Sequence, residues 1–247
     1  MAAGWLPLKW RVGLHNVLAR RPAPHRPTGF APFDEIAAHA VRRSDINEHL
    51  VPLFWQALAQ APRLIVELGV RGGESTYVFE RAAALLGARL VSIDLSDCSG
   101  ASAFSGWNFI QADDVAFAPL FPAWCRARQI EPEIGLLFVD TSHEREHTRR
   151  EIDAWLPMLA PCGLALFHDT NLRRPYWRRD GSWNLGWDNH RGVISALEEF
   201  LAASFDENRE FIAVHRGWLV HHRPWCAGLT SLRRMSAPPE QSFSART

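Results

Sequence analysis

The chain has 247 residues, of which 47% are hydrophobic, and its 27 basic residues balance its 27 acidic ones. This is enough apolar material for one full core with extensions, and the balanced charge gives no overall attraction to nucleic acid. The four cysteines are widely spaced without a C-x-x-C pair, which argues against a zinc site or a disulfide framework and is typical of a reducing compartment. With no apolar run of membrane-spanning length and no signal-peptide order at the N-terminus, a cytoplasmic protein is expected.

Residues 1–60 are predicted to form an N-terminal extension and helical cap. Tryptophans and aliphatic residues alternate with basic residues over 1–30, and prolines then interrupt the pattern. Two interpretations stay open for this stretch: a membrane-surface or partner-binding helix, and a segment that packs its tryptophans on the domain or on a second subunit. Residues 33–60 are predicted to be helical, with polar capping residues at 44–47 before an apolar stretch.

Residues 61–226 are predicted to form one domain in which strands and helices alternate. The strand candidates are Leu64–Leu68, Leu90–Asp94, Trp107–Gln111, Gly135–Asp140 and Gly163–His168. The helical patterns between them are Ser75–Leu86, Phe117–Gln129 and Glu144–Leu159. This alternation predicts a Rossmann-like, doubly wound α/β fold whose ligands bind beyond the carboxyl ends of the strands.

The end of the chain has a different pattern. Residues 192–205 are predicted to be a helix, and 210–215 and 218–222 to be strands joined at a hairpin signal, Arg216-Gly217. Together with the five earlier strands they predict a mostly parallel, seven-stranded sheet with an antiparallel final hairpin strand. Residues 227–247 are predicted to be a flexible tail, because the end of this segment is polar and contains prolines.

The first strand is joined to the first helix by a glycine-rich turn. Its pattern, Gly69-x-x-Gly72-Gly73, fits neither the dinucleotide fingerprint, which requires G-x-G-x-x-G, nor the phosphate loop, which requires a Gly-Lys-Ser/Thr ending. Glycines permit a tight turn and a close approach to a ligand, and the helix start offers unpaired N–H groups. The alternatives are a cofactor loop and a tight connection that binds nothing.

The full stretch, E-x-G-x-x-G-G-x-S-T, resembles motif I of class I S-adenosylmethionine-dependent methyltransferases. In that family the acidic residue and the glycines hold the methionine and ribose part of the cofactor. The resemblance therefore implies a cofactor site that includes Glu67, Gly69, Gly72, Gly73, Ser75 and Thr76.

Acidic residues also follow the second and third strands. Asp94 closes the second strand, where a carboxylate can accept hydrogen bonds from both ribose hydroxyls. Asp113 follows the third strand at the position where the resembling family has an aspartate that binds the adenine amino group. Its neighbour Asp114 is equally suited to be the N-cap of the next helix.

Asp140 and Asp169 close the fourth and fifth strands. Neighbouring parallel strands lie roughly 4.8 Å apart, so two such carboxylates can share one divalent cation such as magnesium. His168 is a candidate third metal ligand, or a core histidine that only orients the others. His143, three residues after Asp140, is a candidate general base, and the alternative is a solvated residue at a helix start. His147, one helical turn further, is a weaker candidate for the same role.

The pattern Asp140-x-x-His143, followed by Asp153–Gly163 and His168-Asp169-Thr170, is similar to one branch of small-molecule O-methyltransferases. That branch includes macrolide-sugar O-methyltransferases and cephalosporin-hydroxylase-like proteins, and it is distantly similar to catechol O-methyltransferase. The resemblance covers about residues 60–225. It implies magnesium at Asp140 and Asp169 and a base at His143. Thr170 departs from the catechol-type enzymes, which have Asn at this place.

A loop over residues 172–191 follows the predicted metal site directly. It carries Arg173, Arg174, Arg178, Arg179 and Arg191, with Tyr176, Trp177, Trp183 and Trp187. Tryptophan faces stack on sugars and arginine pairs with carboxylate or phosphate, so a glycosylated or anionic acceptor is one interpretation. A solvated lid or a subunit contact is the other.

These features predict an S-adenosylmethionine-dependent O-methyltransferase that acts on a hydroxyl of a sugar or secondary metabolite with the help of magnesium. Nucleic acid is not the expected substrate, because a single basic loop is a small electrostatic footprint. Two alternatives are a catalytically silent methyltransferase-like binding subunit and a cephalosporin-hydroxylase-like protein. The tryptophan-rich extension also predicts a homo-oligomer contact.

Overall fold

The computed structural model describes residues 7–19 and 24–235. Its helices are α1 (Leu8–Leu18), α2 (Ala31–His39), α3 (Leu50–Gln60), α4 (Glu74–Leu86), α5 (Asp114–Phe117), α6 (Phe121–Arg126), α7 (Arg145–Trp155) and α8 (Gly192–Leu201). Short 3-10 turns lie at Asn47–His49, Ala118–Leu120 and Leu156–Met158. The start of the predicted extension (1–6), part of its proline-rich segment (20–23) and the end of the predicted tail (236–247) lie outside the described residues.

Ten strands are found over the same residues. They are β1 (Leu64–Leu68), β2 (Arg89–Asp94), β3 (Trp107–Gln111), β4 (Ile134–Val139), β5 (Leu159–His168), β6 (Tyr176–Trp177), β7 (Trp183–Asn184), β8 (Phe211–His215), β9 (Trp218–Arg223) and β10 (Leu229–Arg234). Eight form one sheet in the order β3-β2-β1-β4-β5-β10-β9-β8, and β6 pairs with β7 in a small hairpin. Strands β1 to β5 run parallel, while β10, β9 and β8 add in antiparallel pairs. The Rossmann-like, mostly parallel α/β fold predicted from the sequence is confirmed.

The strand count was wrong, because the sheet has eight strands and not seven. The missed strand, β10, lies between β5 and β9, inside the stretch that was assigned to the flexible tail. Its central residues Thr230 and Ser231 are polar, which hid the strand from a search for apolar runs. Both are buried, and each forms a side-chain hydrogen bond within the sheet: Thr230 Oγ1 with His222 Nδ1 (2.8 Å) and Ser231 Oγ to the His221 carbonyl (3.3 Å).

Helices cover both faces of the sheet, which explains the continuous apolar strands. One core cluster packs α6, α7 and α8 against one face, with Trp155 and Phe121 fully buried. The other cluster packs α2, α3 and α4 against the opposite face, around Phe54 and Phe79. Strand β4 is buried along its whole length between them. A strand covered on both faces needs apolar side chains at every position and not only at alternate ones.

The chain order reverses between β1 and β4, which are neighbours in the sheet. From β1 the chain moves outward to β2 and β3, and it then returns to β4 on the other side of β1. This is a topological switch point, where the connections at the carboxyl ends leave a crevice for a ligand. The glycine loop after β1 and Asp140 after β4 therefore lie on the two sides of this crevice.

Several predicted helix bounds were too long or wrongly capped. The predicted 117–129 helix is broken into α5, a 3-10 turn and α6, with prolines at the starts of the last two, and α7 ends at Trp155, just before a 3-10 turn with a proline. Helix α3 begins at Leu50 without a side-chain cap, so residues 44–47 do not cap it as predicted. Within the described part of the chain, the helices are all too short or too polar to span a membrane.

Candidate active site

The glycine loop after β1 presses directly against the end of β4. Gly69 has φ +88°, and a Cβ placed on it would lie 2.0 Å from the Asp140 carbonyl oxygen. Its own N–H donates to the Ile93 carbonyl at 2.8 Å, at the end of β2. Only glycine fits this conformation and this separation, so Gly69 allows β1, β2 and β4 to converge at the switch point. At Gly72, a Cβ would meet no described atom within 4 Å, so the loop has open space on its outer side.

Glu67 lies at 0% exposure beneath this loop. Three hydroxyls donate to its carboxylate: Ser75 at 2.6 Å, Thr76 at 2.8 Å and Ser92 at 2.6 Å. Burial raises the pKa of Glu67 to about 7, although these three hydrogen bonds oppose the rise. Glu67, Ser75 and Thr76 were predicted to bind the cofactor. The structure brings them together below the loop, where they hold it in shape from behind.

Asp94 lies beside the glycine loop, on the β1 side of the crevice. One of its oxygens accepts hydrogen bonds from the Val70 N–H (2.8 Å) and the Arg71 N–H (3.0 Å), and the other accepts one from the Ser96 N–H (2.8 Å). Burial would raise the pKa of Asp94, but these backbone hydrogen bonds outweigh it and keep the pKa below its usual value. An ionised Asp94 next to the glycine loop is consistent with the ribose role predicted for it.

The N-cap of the helix after β3 is Asp113, and not Asp114. Asp113 is the N-cap of α5, because its side chain accepts the Ala116 N–H at 2.8 Å. Asp114 is buried in α5 and contacts His147 on α7. The cap predicted as an alternative for Asp114 therefore belongs to Asp113, whose adenine-binding role stays a prediction.

Four candidate residues meet at the carboxyl ends of β4 and β5, and we call them the edge cluster: Asp140, His143, His168 and Asp169. His143 Nε2 lies 2.8 Å from Asp169 Oδ2 and 3.3 Å from Asp140 Oδ1. His168 Nδ1 lies 3.2 Å from Asp140 Oδ1 and 3.4 Å from Asp169 Oδ1. The sequence-predicted base and metal ligands thus form one continuous group.

The backbone is unusual at two members of the edge cluster. His143 has φ 60° and Asp169 has φ 56°, in the left-handed region that residues with a Cβ seldom adopt. Gly192 lies against His143, and a Cβ there would come within 2.0 Å of the His143 carbonyl oxygen. Such conformations persist where the surrounding structure holds them, and they concentrate at functional sites.

Charge in the edge cluster is tightly paired. Burial would raise the pKa of Asp140, but the charge of His168 and the hydrogen bond from His143 hold it well below its usual range. Burial would lower the pKa of His143, but hydrogen bonds to Asp140 and Asp169 raise it to about 10. His143 is therefore a protonated bridge between the two carboxylates in this arrangement, and it must lose that proton before it can act as a base.

The edge cluster also has the donor set for a divalent cation. The ligand atoms of Asp140, His143 and Asp169 all lie within 4.8 Å of one another. Asp169 Oδ1 is buried and accepts no well-oriented hydrogen bond from a described residue, although His168 Nδ1 lies 3.4 Å away. The Asp140 side chain is 25% exposed on the open side. An orphaned buried carboxylate oxygen beside a second carboxylate is a feature that a cation would satisfy. The group of three ligand atoms includes His143 and not His168. The metal role of His168, for which an orienting role was the alternative, stays a prediction.

The loop over 172–191 is built around the β6–β7 hairpin, and its arginines have separate roles. The guanidinium of Arg178 is buried and donates to the Ser44 carbonyl (2.7 Å) and the Trp183 carbonyl (3.2 Å). Arg191 is ion-paired with Glu198 at 2.8 Å and with Glu207. Both arginines belong to the loop for which an anionic acceptor was one interpretation, and both are paired with other groups of the protein. Arg174 and Arg179 are exposed.

Sequence reasoning missed the segment that connects this hairpin to the glycine loop. Asp45 is ion-paired with Arg71 of the loop, and Glu48 accepts the Arg179 N–H of the hairpin at 2.6 Å. The polar residues at 44–48 looked like helix caps, and only their high density of hydrogen-bonding side chains gave a signal of another use. They place the hairpin beside the switch point.

The N-terminal extension also contacts the hairpin. In α1, Asn16 donates from Nδ2 to the Trp183 carbonyl (2.8 Å) and accepts the Trp183 N–H (2.8 Å). The His15 ring packs against the Trp183 ring at a tilt of 31°, with the ring centroids 4.6 Å apart. These contacts agree with the interpretation that the N-terminal segment packs on the domain. They are formed by His15 and Asn16, however, and not by a tryptophan of α1, since Trp10 is 64% exposed. A homo-oligomer contact stays a prediction.

A second group of titratable side chains lies away from the edge cluster, and we call it the interior cluster: Asp114, His147 and Glu151. His147 Nε2 is 3.1 Å from Asp114 Oδ1 and 3.5 Å from Glu151 Oε1. Thr141, the residue after Asp140, donates its hydroxyl to Glu151 Oε1 at 2.6 Å. Sequence reasoning noted His147 only as an alternative to His143, although the spacing His147-x-x-x-Glu151 places both side chains on one helix face.

Comparison with known proteins identifies the central part of the chain. Residues 66–170, from β1 to the end of the edge cluster, match the family model described as a methyltransferase domain. This segment is similar to a methyltransferase domain, and the match covers less than half of the chain. It contains the glycine loop, Asp94, Asp113 and the whole edge cluster, so the resemblance to class I methyltransferases inferred from the sequence is confirmed.

A curated relative of this chain is distant. An uncharacterised protein of Sinorhizobium fredii, y4gI, is 29% identical over 130 residues, which cover 48% of this chain and 14% of that protein. The chain thus spans only a small part of this curated relative.

Two solved structures have the same fold. The O-methyltransferase TomG from Streptomyces achromogenes, in complex with S-adenosylmethionine, has a TM-score of 0.50 and 14% identity, over 92% of this chain and 96% of that one. The mycinamycin-pathway methyltransferase MycE, in complex with Mg, S-adenosylhomocysteine and mycinamycin VI, has a TM-score of 0.51 and 17% identity, over 96% of this chain and 62% of that one. At these identities the likeness concerns the fold.

Proposed function

We propose that this protein is an S-adenosylmethionine-dependent O-methyltransferase that acts on a hydroxyl of a small molecule. The observation that carries the proposal is the edge cluster itself. In a methyltransferase domain, two carboxylates and two histidines converge at the carboxyl ends of β4 and β5, beside the glycine loop. Methyl transfer to oxygen requires a cofactor cradle and a means to deprotonate a hydroxyl, and the adjoining glycine loop and edge cluster would supply them.

The cofactor would occupy the switch-point crevice. S-adenosylmethionine supplies an activated methyl group on a sulfonium centre. The loop at Gly69, Gly72 and Gly73 would approach it with backbone alone, and ionised Asp94 would accept hydrogen bonds from the ribose. Glu67 would act indirectly, since its oxygens hold Ser75, Thr76 and Ser92. That both TomG and MycE were solved with this cofactor or its product supports the assignment.

Asp140 and Asp169 would hold a divalent cation, with magnesium the first candidate because hard oxygen ligands suit it. When bound, such a cation supplies a Lewis acid that lowers the pKa of an acceptor hydroxyl. His143 now neutralises the same two carboxylates with its proton. A dication there would favour neutral His143, which could then take the hydroxyl proton as general base. His168, 2% exposed against both carboxylates, would orient them.

The acceptor would bind under the β6–β7 hairpin. Trp177 and Trp187 are 51% and 62% exposed, and Arg174 and Arg179 are also exposed on this loop. Aromatic faces with neighbouring guanidinium groups suit a glycosylated or anionic small molecule. The complex of MycE with mycinamycin VI is a precedent for a small molecule bound to this fold.

Calorimetric titration with S-adenosylmethionine, with and without magnesium, is the first test. We expect micromolar affinity, about −8 kcal/mol, and transfer of the methyl group to at least one member of a panel of sugar nucleotides and glycosylated metabolites. Methyl transfer is measured by the release of S-adenosylhomocysteine and by an increase in the mass of the product that equals one methylene group.

The outcomes separate the alternatives. Binding without turnover across the panel would favour a silent binding subunit. A product that gains oxygen in place of a methyl group would favour the cephalosporin-hydroxylase-like alternative. Absence of binding in both conditions would contradict the proposal.

A further inference from the structure

The interior cluster has the spacing of a helical metal-binding pair. His147 and Glu151 are four residues apart on α7, so both project from the same helix face one turn apart, as paired ligands do on zinc-binding helices. Asp114 completes the group from α5. The ligand atoms of all three residues lie within 4.8 Å of one another. The three ligands come from two separate helices, so an ion bound there would join α5 to α7.

Two atoms of this cluster lack partners. Asp114 Oδ2 and Glu151 Oε2 are buried and have no hydrogen-bond partner among the described residues. The Glu151 side chain is 0% exposed and that of Asp114 is 7% exposed. A buried carboxylate oxygen without a donor loses its hydration and gains nothing in return. Thr141 donates only to Glu151 Oε1, so either a proton shared between the two carboxyl groups or a bound cation is the electropositive group that would satisfy the remaining oxygens.

The donor types indicate what that group is. Two carboxylates carry two negative charges, which one divalent cation would neutralise while the histidine stays uncharged. An imidazole nitrogen together with carboxylates favours a transition-metal ion such as zinc over magnesium. Exposed Arg150 lies 3.3 Å from His147 Nδ1 on the outer side, so Nε2 is the ring atom that faces the carboxylates.

We propose that Asp114, His147 and Glu151 form a second metal site, which binds one divalent transition-metal ion of the zinc class and is separate from the edge cluster. The ion would tie α5 to α7 directly behind the edge. Because Asp113 is the N-cap of α5 and Thr141 follows Asp140, the site would fix the positions of Asp113 and Asp140 relative to each other. This inference does not depend on the proposed methyl-transfer activity.

The test uses a full-length Asp140→Asn/Asp169→Asn variant, which removes the carboxylates of the edge cluster. After dialysis against chelator, zinc is titrated and the bound metal is counted by atomic emission. We expect one zinc per chain with a Kd below about 1 μM, since structural zinc sites bind tightly. A further Glu151→Gln change should weaken binding at least tenfold, whereas Glu146→Gln, an exposed change on the same helix, should leave it unaltered.

Crystals of the Asp140→Asn/Asp169→Asn protein soaked in zinc locate the ion by its anomalous signal at the absorption edge. A peak between His147 Nε2 and Glu151 is the expected result, and it decides the question even where the Glu151→Gln protein does not fold. The proposal is overturned by the absence of zinc binding in the double variant, by a peak elsewhere, or by equal affinity with and without Glu151→Gln.

Discussion

The edge cluster and the interior cluster contain the same kinds of residues in different surroundings. Each combines two carboxylates with histidine, and their histidines, His143 and His147, lie one helical turn apart in sequence. The edge cluster lies at two strand ends, and its residues His143 and Asp169 have a left-handed backbone conformation. Asp140 is partly exposed on its open side. The interior cluster joins two helices and contains Glu151 without exposure.

The contrast shows that residue chemistry alone does not assign a role. A carboxylate at the crevice can contact a substrate, while one behind it can only support other protein groups. Glu67 belongs with the interior carboxylates, because it is fully buried and bonded to three hydroxyls. We therefore expect changes at the edge to act on catalysis and changes behind it to act on stability.

The largest expected effect is that of Asp169→Asn. The change preserves shape but removes one of the two charges that pair with His143 and that would bind a cation. We expect kcat to fall about 100- to 1,000-fold, since a lost Lewis-acid contribution is worth several kcal/mol. Steady-state assay of S-adenosylhomocysteine release measures it.

The control for this change is the binding of S-adenosylmethionine. Its Kd should stay within about threefold of the wild-type value, because Asp169 follows β5, which β4 separates from β1 and the glycine loop. A similar loss of cofactor affinity would mean that Asp169 has a place in the cofactor site, and it would remove the distinction between the two sides.

His143→Gln and His147→Gln form a matched pair that tests the comparison directly. Loss of the proposed general base at His143 should lower kcat about 100-fold or more, and loss of its contacts with Asp140 and Asp169 should also lower the unfolding free energy. Loss of the charged contacts of His147 with Asp114 and Glu151 should cost about 1.5–3 kcal/mol of stability.

Urea unfolding and turnover assays on both variants provide the measurement. The expected pattern is a loss of stability with both variants and a large fall in kcat with His143→Gln alone. If His147→Gln lowered kcat as much as His143→Gln did, the interior cluster would have to be regarded as part of the catalytic machinery.

Glu67→Gln should change how stability depends on pH. Burial raises the pKa of Glu67 from 4.5 to about 7 in the folded protein. Folded protein therefore keeps a proton that unfolded chain releases, so this group's contribution is fully present below pH 4.5 and is lost as pH rises through 7. Glutamine does not titrate, so the variant should gain about 3 kcal/mol relative to wild type between these pH values.

Urea unfolding of both proteins across pH 4.5 to 8 measures this difference. The comparison between the two proteins at each pH removes the contributions of all other titrating groups. A constant difference across the range would show that Glu67 is ionised beneath the loop and that its three hydroxyl donors outweigh its burial.

Much of the fold and of the edge cluster could be predicted, because apolar runs and the alternation of strands and helices along the chain are local signals in the sequence. Each parallel strand is short and apolar, and the residue after its end is at the crevice by geometry, so Asp94, Asp140 and Asp169 were placed correctly. Strand β10 could not be found this way, because its polar centre is satisfied by His222 and His221, whose positions depend on the tertiary fold.

Contacts between segments far apart in sequence were also beyond prediction. Arg178 looks like an anion-binding residue, and only the fold shows that the Ser44 carbonyl, 134 positions away, accepts its hydrogen bonds. Burial of Glu67 has a similar origin, since Ser92 comes from the neighbouring strand β2. In both cases the residue type indicated a polar contact, but the sequence did not show which partner makes it.

The smallest expected effect concerns the contact of α1 with the hairpin. Asn16→Ala removes the two hydrogen bonds to the Trp183 backbone, worth about 1–2 kcal/mol together. The hairpin would spend more time away from its position, so the KM for the acceptor should rise about three- to tenfold, while kcat and cofactor affinity should not change. Trp10→Ala, at an exposed position of the same helix, is the matched control. An equal rise with Trp10→Ala, or a fall in kcat with Asn16→Ala, would show that α1 acts on the edge in some other way than by holding the hairpin.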